Sequence, residues 1–181
     1  MWPGDYSDIP RSAMMSHPGI FELIGLPKNY DALIEEATRR KCPTTGKELT
    51  DPVICLFCGE LSCSQGTCCQ KTDTSPDRIE YTKIGGAQQH MRKCQRNIGV
   101  FLNVRKCSIV YLFRLSGSFT PAPYIDKYGE TDPQLRHGRQ LFLNQKRYDS
   151  MIRNTVLNHG VPSLISRKLE AEINNGGWDT L

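Results

Sequence analysis

Residues 42–69 read CPTTGKELTDPVICLFCGELSCSQGTCC, and residues 85–94 read GGAQQHMRKC. All of the eight cysteines except Cys107 fall between Cys42 and Cys94. Two fragments decide the reading. Cys55-Leu56-Phe57-Cys58-Gly59 has the form of a zinc knuckle, and His90-Met91-Arg92-Lys93-Cys94 sets an imidazole and a thiol four residues apart, on one face of a helix. Together they supply Cys55, Cys58, His90 and Cys94, the number and kind of ligands a tetrahedral Zn²⁺ takes in a structural site. Gly59 fits because a knuckle turns sharply and aims backbone N–H groups at sulfur, and glycine tolerates the positive φ required. A thioredoxin-like redox pair would need its attacking thiol at a helix N-terminus after a strand, without the further cysteines. One zinc is expected. Cys42, Cys63, Cys68, Cys69 and Cys107 read as buried structural thiols, since free cysteine behaves as a small hydrophobe. Cys63 and Cys69 are the alternative metal ligands, either replacing one of the four or contributing to a second site.

Working outward, the 181 residues suffice for one domain, or two small ones, with a genuine core. The mean hydropathy of −0.46 and net charge of +4 describe a polar globular chain. Its acidic residues are interspersed with the basic ones, so the charge does not demand nucleic acid or a membrane as partner. No apolar run approaches transmembrane length, and the N-terminus lacks a signal-peptide pattern. Metal-bound thiolates fit a reducing compartment, which places the chain in the cytoplasm or nucleus.

Residues 1–20 carry three prolines and no periodicity and read as an irregular lead-in or linker, leaving 21–181 as the zinc-binding domain. Phe21, Leu23, Ile24 and Leu26 should dock on the core. Asn29 is placed to cap a helix from Tyr30 to Arg40, with Leu33, Ile34 and Ala37 at helical spacing. Val53–Phe57 reads as a buried strand, 70–83 as a surface loop, and Ala87–Gln95 as a short helix. Ile98–Val104 and Cys107–Leu115, rich in β-branched and aromatic residues, form a hairpin, whose second strand should stop at Gly117. Prolines 121, 123 and 133 exclude a helix from 119–133. There Tyr124 and Tyr128 are expected to anchor on the sheet and leave Asp126, Glu130 and Asp132 outside, a candidate interaction loop. Asn144 should cap a helix running to His159 and closed by Gly160, followed by a last helix from Pro162 to Ile173 with Leu164, Ile165, Leu169 and Ile173 inward. The segment 174–177 should then be a flexible joint. The fold class is α+β: a small zinc-stapled domain with a central β-hairpin in an antiparallel sheet, flanking helices and long ordered loops.

Several chemistries are absent. There is no Gly-rich phosphate loop, nucleophile elbow or H-E-x-x-H helix. A zinc deaminase would need a glutamate beside its histidine and a second C-x-x-C, and a RING would need more C-x-x-C pairs. A catalytic zinc keeps an open position, whereas four protein ligands fill all four. The chain is therefore expected to be non-catalytic. The opening CPTTGKELTDPV is similar to the start of a metal-free U-box, but the likeness ends where Cys55-x-x-Cys58 begins. A nucleic-acid-binding zinc protein is the other alternative, supported only by scattered Arg92, Lys93, Arg96, Arg105 and Lys106.

The motif order resembles the C-terminal domain of the N-recognins, the Ubr-type RING E3 ubiquitin ligases of the N-degron (N-end rule) pathway, in a fungal form. The residues carrying the resemblance are LIGLPKNYDALIEEA (23–37), Cys42-Pro43, ICLFCGELSCSQGTCCQ (54–70), His90-x-x-x-Cys94, GVFLNVRKCSIV (99–110), PAPYIDKYGETDPQLRHG (121–138) and LNHGVPSLI (157–165), with Trp178 near the end. The resemblance implies a full-length E3 ubiquitin transferase that recognises N-degron substrates and promotes their ubiquitylation and proteasomal degradation with a Rad6-type E2. Neither its substrate-binding box nor its RING lies in these residues. It also implies that this domain is a zinc-stabilised scaffold contacting other domains of the same ligase.

Overall fold

The computed structural model describes residues 23–64, 69–72, 83–94, 97–157 and 160–176. The lead-in 1–20, Phe21, Cys68, most of the 70–83 loop, Arg96, His159 and Trp178 lie outside them.

A five-stranded antiparallel sheet forms the centre. β1 (Pro52–Cys55) lies between β2 (Leu61–Cys63) and β5 (Ile98–Asn103), followed by β6 (Ser108–Phe113) and β7 (Ser116–Pro121). Two-stranded ribbons pair β3 (Lys71–Thr72) with β4 (Lys83–Ile84), and β8 (Tyr124–Ile125) with β9 (Phe142–Leu143). The helices are α1 (Asp31–Arg39), α2 (Gly86–Cys94), α3 (Gln145–Met151) and α4 (Gly160–Gly176).

The run VFL in β5 is apolar without alternation because both faces of the sheet are covered, and side chains along a strand point alternately to each. Ile54, Val100, Leu102, Ile109 and Tyr111 join the larger core with Leu33 of α1, Tyr148 of α3 and Val161 and Ile165 of α4. Val53, Cys55, Phe101 and Val110 face the other way and pack with Ala87 and Met91 of α2. Cys55, the first knuckle cysteine, thus points to the α2 side because of strand parity.

The expected hairpin is present, with Ile98 opposite Phe113 and Asn103 opposite Ser108. Its connection is longer than Arg105-Lys106 alone. Buried Asn103 accepts the Lys106 N–H through Oδ1 at 2.8 Å, and Cys107 takes the left-handed conformation with φ +47°. Asn103 supplies the turn chemistry that Arg-Lys lacks.

Gly117 does not end the strand system. It sits inside β7, opposite Leu112, in an edge strand whose Ser116, Ser118 and Thr120 conceal it from a hydrophobicity reading. Gly160 likewise does not close α3. That helix continues as a wider π-type turn over Ile152–Leu157, and Gly160 opens α4. α4 also runs through Asn174 and Asn175 to Gly176, where a joint was expected. Leu169 is exposed, and Val161 takes an inward place instead. Ile34, expected inward, is also exposed. Asn144 caps α3 as expected, its side chain accepting from the Arg147 N–H at 3.0 Å, whereas Tyr30 takes the capping position of α1 and Asn29 stands one residue before it, its Oδ1 accepting from the Asp31 N–H at 3.1 Å.

Three buried tyrosines lace the start of the described chain to the core. Tyr30 donates to the Val104 carbonyl at 2.8 Å, Tyr124 to Pro27 at 2.8 Å and Tyr148 to Ile24 at 2.7 Å. Burial raises the pKa of all three phenols, so they remain neutral donors. Cys107 belongs to this core as expected, a thiol that burial pushes up to about 11.

Gly86 fixes how closely α2 approaches the sheet. A β-carbon there would lie 2.5 Å from the carbonyl oxygen of Cys63, a backbone atom with little freedom to yield. Gly86→Ala is expected to destabilise the domain by about 1–2 kcal/mol, because the overpacking cost of about 1–3 kcal/mol exceeds the fraction of the helix-propensity gain available at a first-turn position. Urea unfolding with an unchanged m-value and a lower midpoint is the expected reading. A midpoint equal to or above that of the parent chain excludes this packing role.

Candidate metal centre

Four side chains from two separate elements meet beside Phe101. Cys55 ends β1, Cys58 lies in the turn after it, and His90 and Cys94 are one turn apart on α2. Their ligand atoms all lie within 4.8 Å of one another. Zn–S bonds of about 2.3 Å at tetrahedral angles set ligand atoms about 3.8 Å apart, so the spacing suits a single small ion.

The turn between the cysteines has the features expected of a knuckle. Gly59 has φ +79°, and its N–H closes the turn by donating to the Cys55 carbonyl at 2.8 Å. The Leu56 N–H donates to the Val100 carbonyl at 2.9 Å, anchoring the turn to the sheet. The Cys55 thiol is raised to about 12, by burial first and with the neighbouring thiols Cys58 and Cys94 adding to it, against the amides of Phe57 and Cys58 hydrogen-bonded to its sulfur. Cys94 is raised as well, by burial first and by Cys58 next. Mutual repulsion among clustered thiolates is the term that a divalent cation reverses in sign.

His90 is oriented at both nitrogens. Nε2 lies 3.2 Å from the Cys58 sulfur, and Nδ1 lies 3.4 Å from a carboxylate oxygen of Glu60. A histidine that faces a metal site through one nitrogen and a carboxylate through the other is the usual arrangement for fixing the tautomer and raising ligand basicity. Sequence reading did not single out Glu60, although its place directly after Gly59 was a usable signal. The ring of His90 stands edge-on to Phe101, with centroids 6.0 Å apart, so the sheet also buttresses the ligand.

Cys63 and Cys69, the alternative ligands, are not part of this group. They lie with Cys42 in a second cluster of three buried cysteines whose sulfurs are all within 4.8 Å of one another. The turn that presents Cys42 is built like the first knuckle. The Gly46 N–H donates to the Cys42 carbonyl at 2.8 Å, the Cys42 N–H donates to the Lys47 carbonyl at 2.7 Å, and Gly46 has φ +68°. Burial works against the Cys42 thiolate, but hydrogen bonds from the Thr45 side chain, from Cys69 and from the amides of Thr44 and Thr45 outweigh it and take this thiol down to about 6.

The expected interaction loop is ordered differently from its sequence reading. Tyr124 is buried against Tyr30, as expected, but Tyr128 is 69% exposed, whereas Asp126 and Asp132 are buried. The carboxylates turn inward because the loop's own backbone needs acceptors. Asp126 Oδ1 takes the N–H groups of Tyr128 and Glu130 at 2.8 and 2.9 Å, its Oδ2 takes Arg139 at 2.7 Å, and Asp132 takes the His137 N–H at 3.0 Å. The Glu130 amide, followed by the Arg139 guanidinium, holds the Asp126 carboxyl below its ordinary range. Glu130 stays outside, paired with Arg139. His137 is exposed.

No helix among the described residues is long and apolar enough to cross a membrane. A family profile described as Proteolysis_6 C-terminal matches residues 1–158. The chain is 44% identical over 178 residues to the E3 ubiquitin-protein ligase ubr1 of Schizosaccharomyces pombe, covering 98% of this chain and 8% of that protein. It is 38% identical over 128 residues to human UBR1, covering 70% of this chain and 7% of that protein, and 30% identical over 145 residues to the ligase PRT6 of Arabidopsis thaliana, covering 79% and 6%. The chain thus spans less than a tenth of the length of these relatives, and the fission-yeast match agrees with the fungal form of its motifs. The order of motifs and the profile lead to the same assignment: the chain belongs to the Proteolysis_6 C-terminal family, found in Ubr-type ligases.

Proposed function

We propose that this chain is the zinc-stapled, non-catalytic C-terminal scaffold of an N-recognin-type RING E3 ubiquitin ligase. The observation that carries the reading is the convergence of Cys55, Cys58, His90 and Cys94 from the β1 turn and α2. These residues would hold one Zn²⁺. Its chemistry is structural, since the protein donors account for the four positions of a tetrahedral site and leave none for a substrate. What the ion does is tie α2 to the sheet. Binding free energy at such sites is about 10–16 kcal/mol, comparable to the whole net stability of a domain, about 5–15 kcal/mol.

The ligase role comes from the names of the relatives, in which the matched segment is a small fraction. The full-length protein would transfer ubiquitin from a Rad6-type E2 to N-degron substrates in the cytoplasm and nucleus. This domain would contact other domains of the same ligase, and neither nucleic acid nor membrane is among its partners. Of the candidate residues in the 119–133 loop, exposed Tyr128 and Glu130, both beside Arg139, are those another domain would meet, whereas Asp126 and Asp132 serve the loop itself.

The test compares the isolated chain with the full-length ligase in an E2 discharge and substrate ubiquitylation assay. The isolated chain is expected to leave E2–ubiquitin thioester intact, and the ligase lacking this segment is expected to lose substrate ubiquitylation. Discharge by the isolated chain would favour a self-contained U-box-like module instead. Undiminished ubiquitylation by the truncated ligase would remove the scaffold role.

A further inference from the structure

We propose that Cys42, Cys63 and Cys69 form a second zinc site, a trithiolate centre beside the first. The three sulfurs come from two stretches of the chain: Cys42 from the Lys41–Glu48 turn, and Cys63 and Cys69 from the end of β2 and the residue before Gln70. All three residues are at most 2% exposed, and their sulfurs lie within 4.8 Å of one another. The Cys42 and Cys69 sulfurs are 3.0 Å apart, well beyond the covalent separation of about 2.05 Å, and none of the three cysteines is in a disulfide. Burying three thiols in mutual contact, with Leu49 the one partly buried apolar side chain packed against them among the described residues, is poor hydrophobic design. It is good design for a soft or borderline cation, because three thiolates select for ions such as Zn²⁺.

The surroundings fit a metal more closely than they fit a packed core. A cavity of about 100 Å³ opens on the cluster, lined by the three cysteines together with Ser62, Gln89 and Lys93. The buried Ser62 hydroxyl has no hydrogen-bond partner among the described residues. The cavity leaves room for a small fourth ligand such as water, which occupies about 30 Å³ in the liquid. A zinc trithiolate carries one net negative charge; Lys93 on the cavity wall is of opposite sign, and the Glu60 carboxylate on the same wall is turned to His90 of the first centre. Gln89 donates to the Cys69 carbonyl at 2.5 Å and to the Ile84 carbonyl at 3.2 Å, so α2 holds the second cluster in place through Gln89 while presenting His90 to the first. On binding, three thiols lose their protons to solvent and three Zn–S bonds form, with no change of oxidation state.

The experiment uses the 181-residue chain purified under reducing, chelator-free conditions. Elemental analysis and native mass spectrometry are expected to give two zinc ions per chain, and exchange into ¹¹³Cd²⁺ is expected to give two thiolate-type resonances. Cys63→Ser should lose one of the two ions, together with one resonance. The wild-type spectrum decides the matter even if that variant fails to fold. A single ion with a single resonance in the wild-type chain overturns the proposal, as does a Cys42–Cys69 disulfide, two hydrogens lighter, in chain that carries only one zinc. The first site is judged separately, by whether Cys58→Ser removes the other resonance.

Discussion

Replacing Cys94 by serine is expected to abolish the native fold at 25 °C, not merely to lower its stability. The substitution removes the α2 thiolate from the first centre and leaves Cys55, Cys58 and His90, one ligand short. Structural zinc contributes about 10–16 kcal/mol, and a tetrahedral site that loses a thiolate forfeits much of this. Net stability is about 5–15 kcal/mol, so the loss consumes the margin. The elements at risk are those the centre joins. Otherwise α2 reaches the rest of the protein through the smaller core with Val53, Phe101 and Val110 and through the Gln89 hydrogen bonds, contacts too limited to hold it alone. Circular dichroism should show lost secondary structure, and zinc content should fall by at least one ion per chain. Cys107→Ser is the control: that cysteine lies in the larger core, away from both clusters, and its substitution should leave the metal content unchanged. A Cys94→Ser chain with parental zinc and spectrum would mean that the helix thiol is not a ligand.

Phe101→Ala carries the next largest effect. Phe101 is fully buried on the α2 face of the central strand, and its ring meets the edge of His90. Removing an aromatic side chain from such a site costs about 3–5 kcal/mol, part of it from the cavity left behind. The effect should also reach the metal, because His90 loses the surface that fixes its ring. The expected result is a lowered denaturation midpoint together with faster zinc transfer to a competing chelator. Phe101→Leu, which refills most of the space, should recover the larger part of both. Val110→Ala, on the same face but with no aromatic ring to set against the imidazole, should lower stability and leave zinc transfer unchanged. If Phe101→Ala and Val110→Ala behave alike in the chelator assay, the ring contact has no part in metal retention.

What the sequence disclosed and what it concealed follow from the range of the interactions involved. Cys55 and Cys58 are held by one turn and His90 and Cys94 by one helical repeat, so each half of the first centre is locally encoded. Joining the halves required only that β1 and α2 share a sheet face. The second cluster is different. Cys63 and Cys69 are near in the chain, with Cys63 placed by its pairing with Pro52 in the β1–β2 register, but the Cys42 turn lies too far away for any local spacing to announce its part. β5 and β6 were legible because both faces are buried and the apolar run is continuous. β7 was not, because an edge strand with Ser116, Gly117 and Ser118 buries too little to reveal itself. Asp126 and Asp132 were expected in solvent on charge alone. The loop's unpaired N–H groups, together with Arg139, drew them inward instead, satisfying backbone donors that burial would otherwise leave unmet.

The central claim is that metal, not apolar packing alone, holds α2 to the sheet. The most direct measurement is circular dichroism of the wild-type chain before zinc is stripped, after stripping verified by elemental analysis, and after zinc is returned. The expected result is a cooperative fold with zinc, loss of that fold in the metal-free chain and recovery when zinc is added back. A metal-free chain whose spectrum and thermal transition match those of the zinc-bound chain would contradict the account.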